Sequence, residues 1–393
     1  MRKIDESLIY IGTDDTDLDL FESQYIVPDG MSYNSYVILA GKVAVMDTVD
    51  ARCAEEWEKN LDEALSGRQP DYLVVQHLEP DHSALIARTL ERFPQMKLVA
   101  TAKAVSMLPQ FFPGMDFSGR TISVGEGDKL DLDGASLTFV LAPMVHWPEV
   151  MVSYMPEKGV LFSADAFGKF GTMAANGFYG DEDPDWISEA RRYYFNICGK
   201  YGGPVQNLLT KAAALDINMI CPLHGPILRS SLGDYTGLYD IWSKYEVEAE
   251  GVFVAYASIH GGTKEAALRF AEILKAKGAA KVTVSDLCRD DQAKCVEDAF
   301  RYGTLVIAAA SYDGGLFPPA AQFIHHLRDK AWQKRRVALI ENGSWAPCAA
   351  RVMKGMFESM KDVEILSPTV TIRSRMHADD EAALEALADA VLS

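Results

Sequence analysis

The spacing of apolar and amphipathic segments changes near residue 250, and this change constrains the fold more than any other feature. After Gly251, short apolar runs alternate strictly with amphipathic stretches such as Thr263–Lys277. The apolar runs are Val252–Ala257, Val282–Val284, Thr304–Ala309 and Val337–Ile340. Strict alternation of buried strands with helices is typical of a doubly wound parallel sheet, so this fold is predicted for the second part of the chain.

Before that point, short strands come in pairs, with helical stretches between some of them. Tyr36–Leu39 and Val43–Met46, for example, flank a tight turn at Gly41-Lys42. Hairpins interleaved with helices indicate two sheets sandwiched between helices, an αββα arrangement. Because domains commonly contain about 100–200 residues, the 393 residues are predicted to form two domains, 1–249 and 250–393.

Composition excludes several classes of function. The formal net charge of −18 argues against a nucleic-acid binder and against docking on an anionic membrane surface. No stretch has the length of a transmembrane helix, and Met1–Glu6 is not followed by the apolar segment of a signal peptide. The six cysteines form no CxxC pair, which is typical of reduced thiols. We therefore expect a cytoplasmic globular protein.

Ligand-type side chains are concentrated in the segment His77-Leu78-Glu79-Pro80-Asp81-His82, which follows the apolar strand Tyr72–Val75. Residues at alternate positions of an extended loop converge on one point, and a helix that starts at Asp81-His82 turns both side chains inward. Four such residues in six positions at the end of a strand indicate a metal site more than a solvated polar loop.

Three further polar residues also follow apolar strands, namely His146, Asp165 and His224. Taken singly, each is explained as well by a structural, hydrogen-bonded role. Together with the cluster at 77–82 they make seven potential ligands, enough for two metal ions.

This set resembles the metallo-β-lactamase superfamily, whose pattern is HxHxDH followed by a His, an Asp and a His at later strand ends. Glu79 stands where the zinc hydrolases carry their second His. A carboxylate is a harder, anionic ligand, and it favours iron over zinc. The pattern HxExDH, followed by a flavodoxin-like half, resembles the flavodiiron proteins, or A-type flavoproteins, over essentially the whole chain.

The resemblance implies two oxo- or hydroxo-bridged iron ions. It implies His77, Glu79 and His146 as ligands of one ion, and Asp81, Asp165 and His224 as ligands of the other. Asp165 is the expected bridging carboxylate. His82 occupies the last motif position, where the family's His is not always a ligand, so its role stays open.

The first loop of the second half is Ser258-Ile259-His260-Gly261-Gly262-Thr263, which runs into a helix. Hydroxyl groups, glycines and free amides at a helix N-terminus form a phosphate cradle. The loop resembles the flavodoxin motif T/S-x-T-G-x-T, with His260 in place of a hydroxyl or Tyr and Gly262 in place of Asn. A plain turn between strand and helix is the alternative, since it also uses glycine.

Two later strand-end loops complete the predicted FMN site, since open α/β sheets bind ligands at the carboxyl ends of their strands. They are Ser311-Tyr312-Asp313-Gly314-Gly315 and Asn342-Gly343-Ser344-Trp345. With the two residues before it, Ala309 and Ala310, the former resembles the segment S-P-T-x-N-x-G, but Ala309, Ala310 and Asp313 stand in place of its Ser, Pro and Asn. Trp345 is expected to lie against the isoalloxazine, with an ordinary surface tryptophan as the alternative. The sequence has no GxGxxG motif, so direct docking of NAD(P)H is not expected.

The resemblance implies an oxidoreductase that reduces O2 to water, NO to N2O, or both, with electrons passed through FMN to the di-iron centre. The ligand set does not choose between the two gases. The second half is followed by no CxxC pair, so we expect an external donor, which in this family is usually rubredoxin. The family also implies a head-to-tail homodimer or a dimer of dimers.

Two other functions stay open. A dizinc hydrolase of the metallo-β-lactamase type, with the flavodoxin-like half as an appendage, shares most of the ligand pattern, but Glu79 argues against it. A non-catalytic redox or gas sensor would also use FMN and metal. The absence of a DNA-binding or signalling extension argues against a sensor.

Overall fold

The computed structural model describes residues 1–393, and they divide into two compact units. The first unit contains Met1–Tyr194 and Gly203–Asp240, and the second contains Phe195–Gly202 and Ile241–Ser393. None of the helices combines the length and the apolar character that crossing a bilayer requires.

Two sheets face each other in the first unit. The seven-stranded sheet contains, in spatial order, Arg2–Lys3, Leu8–Tyr10, Tyr36–Leu39, Val43–Met46, Tyr72–Val74, Lys97–Thr101 and Thr121–Val124. The five-stranded sheet contains Lys129–Asp131, Ser136–Leu141, Met151–Met155, Val160–Phe162 and Met219–Cys221. Two small antiparallel sheets pair Thr13–Asp15 with Met31–Tyr33 and Leu20–Phe21 with Tyr25–Ile26.

One apolar core joins the two sheets. Alternate residues of the first sheet, such as Ile38 and Met46, pack in one cluster with Phe139 and Phe162 of the second. Because side chains alternate between the two faces of a strand, this pattern leaves the other face of each sheet for helices.

The helices before residue 249 are Ala54–Leu65, Pro80–Ser83, Ile86–Arg92, Ala102–Phe111, Met173–Asn176, Trp186–Ile197, Gly202–Ala212 and Leu232–Ser243. Short 3-10 turns lie at Ala51–Cys53, Gly180–Glu182 and Gly199–Tyr201.

The second unit is a parallel sheet in the order Val282–Asp286, Ala249–Ala257, Tyr302–Tyr312, Arg335–Asn342 and Val363–Ile365. Val370–Ile372 adds a further parallel partner to Arg335–Asn342, and Gly315–Leu316 folds back against Tyr302–Tyr312. The helices are Gly262–Ala276, Gln292–Arg301, Pro318–Asp329, Ala349–Glu358 and Ala378–Leu392. The predicted fold class, an αββα sandwich followed by a doubly wound parallel sheet, is confirmed.

The order of strands reverses beside Ala249–Ala257, because the second strand in sequence lies on one side of it and the third on the other. Such a reversal opens a crevice at the carboxyl ends of the two inner strands, and ligands bind there in open α/β sheets. The crevice is the point at which the predicted flavin loops begin.

Candidate functional site

All seven predicted metal ligands come together in the first unit. Six are buried residues, and the Glu79 side chain is only 17% exposed. Their ligand atoms form two groups, one with His77, Glu79, His146 and Asp165 and the other with Asp81, His82 and His224. Since charged side chains are rarely buried without a partner, this concentration marks a functional site.

Local structure explains how the segment 77–82 presents its side chains. The strand Tyr72–Val74 lies between two parallel neighbours, so the chain leaves it at the interior of the sheet. The helix Pro80–Ser83 begins directly after Glu79, with proline in its first turn. Proline is favoured there because its fixed φ suits a helix start. Asp81 and His82 are thereby turned into the buried interior.

The register of the second sheet places two further side chains side by side. Val160–Phe162 and Met219–Cys221 are parallel, and Phe162 is the partner of Cys221. Asp165 and His224 each follow three residues after that pair, so both leave the sheet at the same edge. Parallel register therefore brings together two residues that are far apart in sequence.

The first group has the spacing of ligands that share one ion. Glu79 Oε2 lies 3.2 Å from His77 Nε2 and 3.0 Å from His146 Nε2. Asp165 Oδ2 lies 3.3 Å and 3.2 Å from the same two nitrogens. Imidazole and carboxylate ligands bind metals at about 2.0–2.2 Å, so two ligands at roughly a right angle lie about 3 Å apart.

The second group has the same spacing and includes His82. Its Nε2 lies 3.1 Å from His224 Nε2 and 3.3 Å from Asp81 Oδ2. Asp165 Oδ1 lies 3.3 Å from His82 Nε2 and 3.7 Å from His224 Nε2. Asp165 thus directs one oxygen to each group, which is the geometry of a bridging carboxylate.

Unsatisfied polar atoms test whether this set fits metal ions. Both carboxylate oxygens of Asp81 and Oδ1 of Asp165 are buried and accept no hydrogen bond. Leaving a buried polar group unsatisfied costs about 1–3 kcal/mol, and more when the group is charged. These carboxylate oxygens have no hydrogen-bond donor in the protein, and bound cations would satisfy their lone pairs.

Two contacts behind the ligands fix ring orientation. Glu149 Oε1 lies 2.8 Å from His77 Nδ1 and accepts the amide of Leu78 at 2.9 Å. The carbonyl oxygen of Ser32 lies 2.8 Å from His224 Nδ1. A partner on Nδ1 sets the tautomer and leaves Nε2 for the metal. Sequence reasoning missed Glu149, which lies 72 residues after its partner His77, so no local spacing links the two.

Electrostatic interactions within the site favour the charged forms of its histidines and carboxylates, although the side chains are buried. Burial alone would lower the pKa of His146, but hydrogen bonds with Asp165 and Glu79 outweigh it and raise the pKa to about 9. Burial likewise opposes ionisation of Asp165, yet His77, His146 and His82 hold its pKa well below the ordinary value. A metal ion replaces the protons that the imidazoles otherwise hold.

The second unit has a cavity of about 630 Å³ at the carboxyl ends of its strands. This volume lies within the range of about 300–1,000 Å³ that is usual for small-molecule sites. Of the residues predicted to contact a flavin, the following line it: Ile259, His260, Gly262, Thr263, Ser311, Tyr312, Asp313, Gly314, Asn342, Gly343, Ser344 and Trp345.

Three other predicted residues, Ser258, Gly261 and Gly315, are not among the residues that line the cavity. The hydroxyl of Ser258 accepts the amide of Gly261 at 3.1 Å, and Gly315 pairs with Tyr312 in the sheet. Trp345, by contrast, is 90% exposed at the cavity. An unburied aromatic ring beside a cavity is suited to stacking against a planar ligand.

Five lining residues were missed by sequence reasoning: Ala310, Ala346, Cys348, Ser374 and Arg375. Ser374 and Arg375 follow the strand Val370–Ile372, whose three residues are too few for a clear period-two pattern. Polar residues directly after an apolar Val-Thr-Ile run were the available signal.

Comparisons with known proteins agree with this arrangement. A family model described as "ODP family beta lactamase" matches residues 31–225. An uncharacterized protein of Methanocaldococcus jannaschii is 26% identical, over 94% of this chain and 93% of its own length. The anaerobic nitric oxide reductase flavorubredoxin of Salmonella typhi is 25% identical over 87% of this chain and 72% of that protein.

Solved structures share the fold over almost the entire chain. Rubredoxin oxygen:oxidoreductase from Desulfovibrio gigas has a TM-score of 0.93 at 22% identity, with 99% of this chain and 97% of that chain covered. The flavodiiron protein from Giardia intestinalis has a TM-score of 0.91 at 23% identity, with 99% and 95% covered. The chain is thus similar over almost its whole length to flavodiiron proteins, and the flavorubredoxin and oxygen:oxidoreductase among these relatives are oxidoreductases.

Proposed function

We propose that this chain reduces O2 to water or NO to N2O, with two iron ions in the domain 1–249 and FMN in the domain 250–393. The observation that carries the proposal is Asp165, whose two oxygens face two separate ligand groups. A single carboxylate shared in this way supports two ions close enough to act on one small molecule. When bound, FMN and the iron ions would carry electrons from an external donor to the gas.

Glu79 supports iron in preference to zinc. Its Oε2 lies within the first group, 3.0 Å from His146 Nε2 and 3.2 Å from His77 Nε2. With Asp81 and Asp165 it gives the site three carboxylates besides the imidazoles. Carboxylate oxygens are harder ligands than imidazole nitrogens, and they shift preference away from zinc.

Aromatic rings around the imidazoles supply the shelter that gas reduction requires. The edge of Trp147 meets His77 with ring centroids 5.2 Å apart, and Phe21 meets His224 at 5.4 Å. Tyr33 lies 5.9 Å from His224. Aromatic rings in edge contact limit the access of water to the imidazoles and hold the imidazole rings in place.

The cavity of the second unit supports FMN as the flavin. His260 and Thr263 line it at the start of the helix Gly262–Ala276, whose first amides have no partner within the helix. A phosphate accepts hydrogen bonds from such amides. Tyr312 and Trp345 offer aromatic surface to the ring system.

The partners and the location are inferred from the similarity to flavodiiron proteins and from the cysteines. We propose rubredoxin as the external electron donor, supported by the name of the Desulfovibrio gigas relative. We also propose a head-to-tail homodimer or a dimer of dimers. The six cysteines are free, and four of them are buried, which supports a reducing cytoplasm.

An anaerobic experiment tests the proposed function. The full chain, loaded with iron and FMN and chemically reduced, is given O2 and NO in separate reactions, and consumption of each gas is followed. We expect catalytic turnover with one or both gases, and two iron ions per chain by elemental analysis. A zinc-filled protein that hydrolyses thioesters or lactams and consumes neither gas would instead be a hydrolase.

Glu149 offers a separate prediction about metal retention. The change Glu149→Gln keeps the shape but removes the buried negative charge behind His77, so the imidazole becomes a weaker ligand. We expect roughly a tenfold loss of iron affinity, as for other outer partners of metal ligands. Iron that remains after dialysis against graded chelator measures it. Glu63→Gln, at an exposed position, is the matched control; equal retention in both variants would exclude this role for Glu149.

A further inference from the structure

We propose that Arg375 pairs with the phosphate of the flavin nucleotide, and that Ser374 and Arg375 form the second wall of its cradle. The first wall is the loop 258–263, which the flavodoxin-like motif already predicts. This inference rests on the proposed function, since it names how the FMN site recognises its ligand.

Gly262 is the first sign that the cradle has two walls. A Cβ atom at this position would lie 1.9 Å from the carbonyl oxygen of Ser374 and 3.2 Å from Asn342 Nδ2. No side chain fits there unless Ser374 moves away. The motif that this loop resembles carries Asn at the same position, so the glycine makes room for a neighbouring segment.

The second wall is fixed to the cavity before any ligand binds. Asn342 Nδ2 donates to the carbonyl oxygen of Ser374 at 3.1 Å, and Asn342 Oδ1 accepts the Ser374 amide at 3.0 Å. The hydroxyls of Ser344 and Ser374 are 2.6 Å apart. This pair of amide contacts and the hydroxyl contact hold the wall against the third flavin loop. A preorganised wall binds its ligand without an added cost of ordering.

Charge makes Arg375 the principal candidate for the phosphate contact. It is the single lysine or arginine among the residues that line the cavity, whereas Asp313 adds a negative charge there. The phosphate of FMN carries negative charge, and the chain as a whole has a net charge of −18. A binding site for such a ligand gains from a cation at the phosphate end.

The contacts of Arg375 leave it free to serve this purpose. Its Nε lies 3.0 Å from Glu265 Oε2, in a pair that is largely exposed. Its two terminal nitrogens donate no hydrogen bond within the chain, so their N–H groups are free to donate to a ligand. A planar guanidinium matches phosphate oxygens with two parallel hydrogen bonds, while Glu265 holds it from the other side. Glu265 belongs to the helix that follows the first wall, so this pair also joins the two walls.

The test compares two ligands that differ by the phosphate alone. FMN and riboflavin are titrated by flavin fluorescence into the flavin-free full chain, for the wild type and for Arg375→Ala, Arg375→Lys and Arg373→Ala. Arg373 carries the same charge two residues earlier and does not line the cavity, so it is the matched control. Circular dichroism verifies the fold of each variant.

We expect Arg375→Ala to weaken FMN binding about tenfold, because the guanidinium is largely exposed and solvent reduces its contribution. Riboflavin binding should stay within about twofold, and the loss for FMN should shrink as salt is raised. Arg375→Lys should restore part of the affinity, and Arg373→Ala should resemble the wild type.

Two results would overturn the inference. FMN affinity unchanged in Arg375→Ala would remove the residue from the phosphate. An equal loss for FMN and riboflavin would show that Arg375 only supports the cavity wall. If the wild-type chain bound neither ligand, the proposed function itself would be contradicted. That outcome differs from the two results above, which concern Arg375 alone.

Discussion

The variant Asp165→Asn is expected to bind at most one iron ion per chain and to lose gas reduction by more than about 100-fold. Loss of an outer partner of a metal ligand already costs roughly 10–100-fold, and Asp165 faces both ligand groups directly. An asparagine has the same shape, but it is neutral and has one oxygen instead of two. It therefore cannot bridge two cations.

Elemental analysis of iron per chain and anaerobic consumption of O2 and NO measure this effect. Asp17→Asn, an exposed position in the same unit, removes the same charge away from the site and should match the wild type. If Asp165→Asn retained two iron ions and full turnover, Asp165 would not be a bridging ligand, and the proposed centre would lose its basis.

Glu79→His is expected to exchange the metal preference of the first group from iron to zinc and to reduce turnover at least about tenfold. The change recreates the HxHxDH pattern of zinc hydrolases at 77–82. An imidazole-rich site binds Zn²⁺ more tightly than Fe²⁺ by the general order of affinities, whereas a carboxylate offsets part of that advantage. The Glu79 side chain is 17% exposed, so the new ring has room to enter.

Anaerobic loading with equal amounts of Fe²⁺ and Zn²⁺, followed by elemental analysis, measures the preference. Glu79→Asp keeps the carboxylate but shortens the side chain. If the negative charge sets the metal preference, this variant should still prefer iron; if the ligand geometry sets it, the preference should change. An unchanged ratio of iron to zinc in Glu79→His would mean that position 79 does not select the metal.

The sequence was sufficient to predict the two folds and which side chains lie together in the first unit. Segment 77–82 is recognisable because its ligand-type residues are contiguous, and strand-helix alternation after Gly251 has a strong periodic signal. The division of these side chains into two groups came from the family resemblance and could not be derived from local patterns. Their composition depends on the pairing of Phe162 with Cys221, which brings Asp165 to His224. Parallel pairing is a long-range property that no local pattern encodes.

The role of His82 and the outer contacts also required three dimensions. The motif left His82 open, but its Nε2 lies 3.1 Å from His224 Nε2, within the second group. Glu149 was missed because a glutamate near a surface-like Pro148 resembles a solvated residue until its burial is known. Arg375 was missed because the strand before it has only three residues.

The partnership of Phe162 with Cys221 limits how this chain tolerates insertions. Slipping one strand by a single residue would send its side chains to the opposite face, and Asp165 would then lose His224 as its neighbour. The two-residue spacers between each strand and its ligand, 163–164 and 222–223, are therefore fixed in length, whereas the exposed stretch 213–214, between the helix Gly202–Ala212 and the strand Met219–Cys221, is free to grow. Engineered fusions or grafts belong in that stretch, and a one-residue deletion in either spacer should abolish metal binding while the sheets still assemble.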